Sequence, residues 1–563
     1  MYKAESLKVK KILIVNLTRM GDLLQTTPLI AGLKKKYPDS QLSLAVIDDF
    51  RGICSGFSGV DRLLSVDVNY FVPRLMDSKY SLEENYTYLQ KLMRRVGTDY
   101  DMVINLSHTR VSAVFSRLTE CEDVRGMTLT REGALVVRHP WLNYFFYVSQ
   151  KRLFNTFNLV DMYNLTGEIK LSERSLYYRV PAEAADSPDE FLKGYSGKFI
   201  GFQLGTATGD RRWDPEYFGE LANIIRERLG WNIIVFGSRN ERELLNRMRE
   251  VYKGAIIDAI GKTSMQQLGA LIQRCELLVS NDTGTMHLAA AVGTGIVAIF
   301  LGEAHAGDTG PYTEKAIILE ANISCAPCSY HTTCMDHICH RYVTPEDVFW
   351  AVENFDELTG GEIEQFEDSE RFARVRLSRQ TFEEDGFIYL VPLIKRPLTI
   401  ESLLKGLYRR MWKRFLCPGR DFYPTEFERY YSEPEDEDFN QRLNELVSVF
   451  KELALFGGKG VEIASELREA SSPPNVEALK KLSLDMIKLD NSIYHMEMTH
   501  PETMPIALSF RIRKKNAESD ELDYIIKMAD DLYREVRKQA ELMANEIQKY
   551  QMKMITVEKE YAV

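Results

Sequence analysis

KILIVNLTRMGDLLQTTPLIAGLKKKYP, residues 11–38, passes from an apolar run, Ile12 to Val15, through a polar turn at Gly21 and Asp22 into apolar residues at helical spacing. A short, continuously apolar strand followed by an amphipathic helix opens a βα unit whose strand is buried on both faces. The same signal recurs outward at QLSLAVID (41–48) and DMVINL (101–106). The polar, turn-rich AEAADSPDEFLKGYSG (182–197) interrupts it, and it resumes at FIGFQLG (199–205), WNIIVFGS (231–238), ELLVSND (276–282) and GIVAIFLG (295–302). This alternation predicts an α/β fold of two Rossmann-like domains, 1–185 and 186–355. The carboxyl ends of both sheets are expected to face one cleft.

Beyond 356 the pattern changes. RFARVRLSRQTF and FIYLVPL flank EEDG, a hairpin signal with Gly386 at the turn, inside an extension spanning 356–437. From 438 to 563 the chain reads as helical, and the last helix carries Leu532, Val536, Ala540, Met543, Ile547, Tyr550 and Met554 at steps of three and four. Two readings fit that stripe: packing within its own domain, or a homo-oligomer seam formed by the C-terminal helices. At 563 residues the chain exceeds a single core, so two or three domains are expected. The net charge of -11 argues against broad binding to nucleic acid, which needs a basic surface. No apolar stretch of about 20 residues and no secretory cleavage pattern are found, which points to the cytoplasm.

Three loops follow strands of the second domain. In SNDTGTMHLAAAVGTG (280–295), Thr283, Gly284 and Thr285 offer backbone NH groups at a helix start, with His287 one turn further in. The alternative reading of this turn is a plain cap by Asp282. TATGDRRWDPEYF (206–218) brings Arg211 and Arg212 ahead of Trp213, either as an anion clamp or as a solvated pair before a helix. FGSRNERE (236–243) puts Asn240 and Glu241 at a strand end, where they suit ribose or base hydroxyls. Together the loops fit a nucleotide diphosphate.

RMGDLLQTTPLIAGLKKKYP, the TATGDRRWDPEYF loop and SNDTGTMHLAAAVGTGIVAIFLG resemble glycosyltransferase family 9, the heptosyltransferases that use ADP-heptose, over roughly residues 10 to 355. The resemblance implies a GT-B fold with the acceptor on the N-terminal domain and the sugar nucleotide on the next. It implies inverting transfer with no catalytic metal or other cofactor. Asp22, in the loop with Arg19 and Gly21, matches the family's general base. Arg211 stands where the family usually has a lysine reaching the donor phosphates, and Arg212 adjoins it. Thr206 falls near the phosphates and Glu241 on the nucleoside, while Asp282, Thr283, Gly284 and His287 match the motif that contacts heptose and pyrophosphate. The implied partners are ADP-heptose and a glycan acceptor such as lipopolysaccharide core, met at the inner face of the inner membrane. A protein acceptor, an adhesin or flagellar component, or another nucleotide sugar is the alternative; a non-catalytic scaffold oligomerising through its tail is the reading of another class.

CAPCSYHTTCMDHICH (325–340) gathers Cys325, Cys328, Cys334 and Cys339 with His331, His337 and His340. Four soft ligands in so short a span read as a structural zinc or iron site, or as reduced thiols. HPWLNYFFYVSQKRLFNTF (139–157), with Lys151 and Arg152, and LYRRMWKRF (407–415) mix aromatics with cations. They read either as peripheral membrane contacts or as helices burying their rings.

Overall fold

A computed structural model describes residues 9–68, 81–148, 152–329, 334–362, 365–367, 370–419 and 425–561. The chain divides into two compact units, one of residues 1–128 with 157–395 and one of residues 129–156 with 396–563.

The first unit holds two sheets. Strands β1 (Lys11–Asn16), β2 (Gln41–Ile47), β3 (Arg62–Val66), β4 (Met102–Asn105) and β5 (Val124–Leu129) lie in the order β3-β2-β1-β4-β5, all parallel. Ile12 through Val15 are fully buried, as a central parallel strand requires. Helices α1 (Met20–Gln25) and α2 (Thr27–Lys36) follow β1.

The second sheet contains β6 (Phe199–Gln203), β7 (Asn232–Phe236), β8 (Ile256–Asp258), β9 (Leu277–Asn281), β10 (Gly295–Phe300) and β11 (Ala316–Ala321). They are parallel in the order β8-β7-β6-β9-β10-β11. Helices α3 (Pro215–Arg228), α4 (Arg242–Val251) and α5 (Gly284–Val292) cross between strands. Each sheet therefore reverses its strand order once, at β1/β4 and at β6/β9, and ligands of open α/β sheets bind outside the carboxyl ends at such points. Two Rossmann-like sheets of this kind make the GT-B fold that the sequence implied.

The expected hairpin forms from β12 (Val375–Phe382) and β13 (Ile388–Pro392), with Gly386 at φ +89 in its turn. It pairs antiparallel with β11 and so extends the second sheet instead of standing apart from it.

The second unit is built of α6 (Ile400–Leu416), α7 (Phe439–Ser471), α8 (Val476–Thr499), α9 (Met504–Lys515) and α10 (Leu522–Tyr561). Here α7 and α10 pack along their length. Gly457 and Gly460 permit this: a Cβ on Gly457 would lie 2.6 Å from the Arg537 nitrogen, and one on Gly460 would lie 2.6 Å from Cδ2 of Tyr533. Leu532, Val536, Ala540, Met543 and Ile547 are all buried in this packing, so that stretch of the stripe serves its own unit. Segment 129–156 groups here because its rings do: Tyr144 meets Trp412 edge-on at 5.3 Å, and Phe154 lies 5.5 Å from Tyr408. Trp141, Tyr144, Tyr147, Tyr408 and Trp412 are buried, so the two aromatic segments bury these rings against each other rather than offering them to a bilayer. Lys151 lies outside the described residues, and Arg152 is buried. Among the described residues no helix is long and apolar enough to cross a membrane.

Candidate functional site

The loop after β1 carries the first half of the site. Arg19, exposed, is the N-cap of α1, and its backbone NH reaches Oδ2 of Asp22 at 3.4 Å, so Asp22 also closes a capping box. Asn16 at the end of β1 donates to the Asp22 carbonyl at 3.2 Å and to Thr26 Oγ1 at 2.7 Å, fixing the turn. Burial raises the pKa of the Asp22 carboxyl, against the lowering pull of hydrogen bonds from Arg19 and Thr18. A carboxylate so held is a stronger base than a solvated one. The fully buried Tyr163 stands close, its own pKa pushed well up by burial first and then by the Asp22 charge.

The second half lies on loops after β6, β7, β9 and β10. Arg211 donates from Nη1 to Asp282 Oδ2 at 3.2 Å, from Nε to Thr208 Oγ1 at 3.2 Å, and its Nη2 lies 3.5 Å from Glu303 Oε1. Thr206 Oγ1 donates to the Thr208 carbonyl, which folds the loop back on itself. The neighbouring Arg212 keeps a buried Nε with no hydrogen-bond partner among the described residues. Trp213 anchors the loop from below, fully buried, its backbone NH on Asn281 Oδ1 at 2.9 Å and its indole NH on the Val343 carbonyl at 2.8 Å. Glu241 folds over Gly205 and Gly237 and accepts from the Ser238 NH at 2.5 Å.

Thr283, in extended conformation, is the N-cap of α5, so Asp282 is not the cap and its carboxylate turns to Arg211. Gly284 begins the helix, and Thr285 donates to Gln203 Oε1 at 3.0 Å, tying the turn to β6. His287 is buried and its pKa falls to about 4 through burial alone, so the ring is neutral at ordinary pH.

The two halves touch. A Cβ on Gly21 would lie 2.9 Å from His287 Cδ2 and 3.4 Å from Gly284 Cα, and one on Gly284 would lie 3.2 Å from the Gly21 nitrogen. The loop bearing Asp22 thus sits directly on the helix start bearing Gly284 and His287, with the His287 ring over Gly21 and the Met20 side chain over Gly284. Sequence reading missed Glu303 and Tyr163. Glu303 stands just past β10, a charged residue at a strand's carboxyl end, the same signal that picked out Glu241. Tyr163 lies in a short helix, Leu159–Thr166, buried all round, which leaves no periodicity to read.

The cysteine segment underlies the same loops. Cys328 donates its backbone NH to the Gly302 carbonyl at 2.8 Å, and His340 Nε2 lies 2.9 Å from the Asp210 carbonyl. His337 Nε2 is 3.4 Å from Asp210 Oδ1, while its backbone NH meets Cys334 Sγ at 3.3 Å. The imidazoles therefore face Asp210 instead of the thiols. Cys325 is exposed, Cys334 part-buried, and the thiols of Cys328 and Cys339 are pushed up by burial and then by the other cysteines. His331 lies outside the described residues, and among those described no three donors are arranged to hold a metal ion.

Residues 89–339 match the family model of glycosyltransferase family 9 (heptosyltransferase). The chain is 25% identical over 323 residues to lipopolysaccharide heptosyltransferase 1 of Pseudomonas aeruginosa, covering 56% of this chain and 86% of that protein. It is 31% identical over 164 residues to lipooligosaccharide heptosyltransferase 2 of Campylobacter jejuni, covering 28% and 50% of the two chains. Among solved structures it is similar to the glycosyl transferase family 9 protein from Veillonella parvula, at 25% identity and a TM-score of 0.45, over 55% of this chain and 85% of that one.

Proposed function

Because this chain carries a glycosyltransferase family 9 domain, we propose that it moves heptose from ADP-heptose to a hydroxyl of a lipopolysaccharide core or related surface glycan, with inversion and without a catalytic metal. The observation that carries the reading is the direct contact of the Asp22 loop with the start of α5, which joins a half-buried carboxylate to an anion-ready helix terminus across one cleft.

In the proposed reaction Asp22 takes the proton of the acceptor hydroxyl as its oxygen attacks the anomeric carbon. The bond from that carbon to the β-phosphate oxygen breaks on the opposite face, and ADP leaves with the electron pair. Attack opposite the leaving group is what inverts the centre. A positioned base of this kind contributes about 10² to 10⁴ in rate. The negative charge developing on ADP is met by Arg211, by Arg212 with its unpartnered Nε, and by the free NH groups at Gly284 and Thr285. His287, neutral, serves as a hydrogen-bonding group and not as an acid. Arg211 enters this reaction from an ion pair with Asp282, so donor binding exchanges a carboxylate partner for a phosphate one.

The test is ADP release from ADP-heptose with a core-glycan acceptor. Asp22→Asn is expected to cut turnover by about 10² to 10⁴ while ADP still binds, and Arg211→Ala to weaken ADP itself. Binding of a UDP-sugar with no ADP-sugar bound would sink the donor assignment. Mass spectrometry of the products on glycan and on protein acceptors separates the two acceptor classes.

A further inference from the structure

Three of the four cations of LYRRMWKRF converge on a cavity of about 730 Å³ within the second unit, while Arg409 is buried and donates to the Thr156 carbonyl. Arg410, Lys413 and Arg414 stand three and four residues apart on α6, so one helical face presents all three. Lys549 and Lys553, four apart on α10, line the same cavity, and Arg429 completes it. In a chain of net charge -11, this is a local reversal of sign: among the described residues six cations line it against four carboxylates, Glu426, Glu428, Glu433 and Glu546.

The carboxylates order the cations without cancelling them. Glu428 holds Arg410 at 2.7 Å; Glu546 is shared by Lys549 at 2.9 Å and Arg414 at 3.8 Å; Glu426 meets Arg429 at 3.7 Å. Lys413 is 1% exposed, an ammonium kept in the wall away from bulk water. Tyr431 and Tyr550 also line the cavity, and the Tyr550 phenol is pushed up to about 12 by burial and then by Glu433 and Glu428, so it remains a neutral hydroxyl. Leu398 and Met554 are the aliphatic residues among those lining it, too few for an acyl chain.

We propose that this cavity is a binding site for a phosphorylated saccharide. Its volume falls in the range of small-ligand pockets. Guanidinium and ammonium groups suit phosphate, and the tyrosine rings offer faces and hydroxyls to a sugar. The inference stands apart from the transfer reading, since it rests on residues of the second unit alone.

The full-length chain, saturated with ADP so that the donor site is filled, is titrated calorimetrically with fructose 1,6-bisphosphate. Fructose, inorganic pyrophosphate and phosphatidylglycerol vesicles are run alongside. Binding of the bisphosphate and not of fructose is expected, weakened about tenfold or more in Lys549→Glu/Lys553→Glu. Both lysines are exposed, so the variant is expected to fold, its melting temperature lowered only by the lost Lys549–Glu546 pair. Tyr431→Ala is expected to weaken the bisphosphate while leaving any pyrophosphate binding unchanged. Bisphosphate binding that is insensitive to the lysine reversals, equal affinity for pyrophosphate, or binding to vesicles alone would each overturn the assignment.

Discussion

Replacing Gly205 by alanine is expected to weaken ADP binding through a residue that the new methyl group displaces. A Cβ at Gly205 would coincide with the Glu241 carboxylate and lie 2.9 Å from its Cγ, and one at Gly237, on the other side, would lie 2.9 Å from Oε2. The carboxylate must therefore rotate out of its slot and give up the 2.5 Å bond from the Ser238 NH. The lost cap costs about 0.5 to 2 kcal/mol of stability. If Glu241 holds a ribose hydroxyl, as proposed, a charged hydrogen bond of roughly 1.5 to 3 kcal/mol also disappears, about 10- to 150-fold in affinity. Calorimetric titration with ADP on Gly205→Ala, Glu241→Ala and the double variant reads this directly. Because both changes remove one contact, the double variant is expected to bind like either single. Inorganic pyrophosphate, which has no ribose, should bind all four proteins alike. Wild-type affinity in Gly205→Ala, or losses that add in the double variant, would refute the reasoning.

Three further outcomes follow from buried groups. Asp22 has its pKa raised by burial, so its ionised form is disfavoured in the folded state and stability is lost as pH rises above the ordinary carboxyl value of 3.8. Asp22→Asn should therefore melt higher than wild type at pH 7 to 8 while losing transfer, with the difference in melting fading as pH falls below 4. His287 is the opposite case: its pKa, depressed to about 4 from 6.5, means that only the unfolded chain takes up the proton between those values. Urea melts should show about 3 kcal/mol lost from pH 7.5 to pH 4 that His287→Gln does not lose. Gly460→Ala improves helix propensity by about 1 kcal/mol, yet its Cβ meets the Tyr533 ring, so a net loss of roughly 1 to 2 kcal/mol is expected in thermal melts.

The alternation of apolar runs and helical stretches was legible from β1 onward because parallel strands buried on both faces carry little polar sequence. The hairpin at Gly386 was legible as a turn, but not as an extension of the second sheet, since edge pairing with β11 depends on partners some 60 residues away. Segment 139–157 could not be assigned from its own residues: what takes it out of its sequence neighbourhood is the far-off Trp412 and Tyr408, and ring-to-ring packing leaves no local mark. At the site, Arg211 and Asp282 could each be picked out by strand-end position, but their pairing spans 71 residues and belongs to the fold. In the cysteine segment the grouping of Cys325, Cys328, Cys334 and Cys339 was legible from spacing, and the four thiols do lie near enough to act on one another. The histidines could not be placed from spacing: His340 meets the Asp210 carbonyl and His337 lies near the Asp210 carboxylate.

The close approach of Gly21 and Gly284 also limits what either position can hold. The His287 ring stands over Gly21 and the Met20 side chain over Gly284, so neither position has room for more than a hydrogen. A single methyl group added at either glycine would have to push the His287 ring or the Met20 side chain aside, and so disturb the loop that carries Asp22.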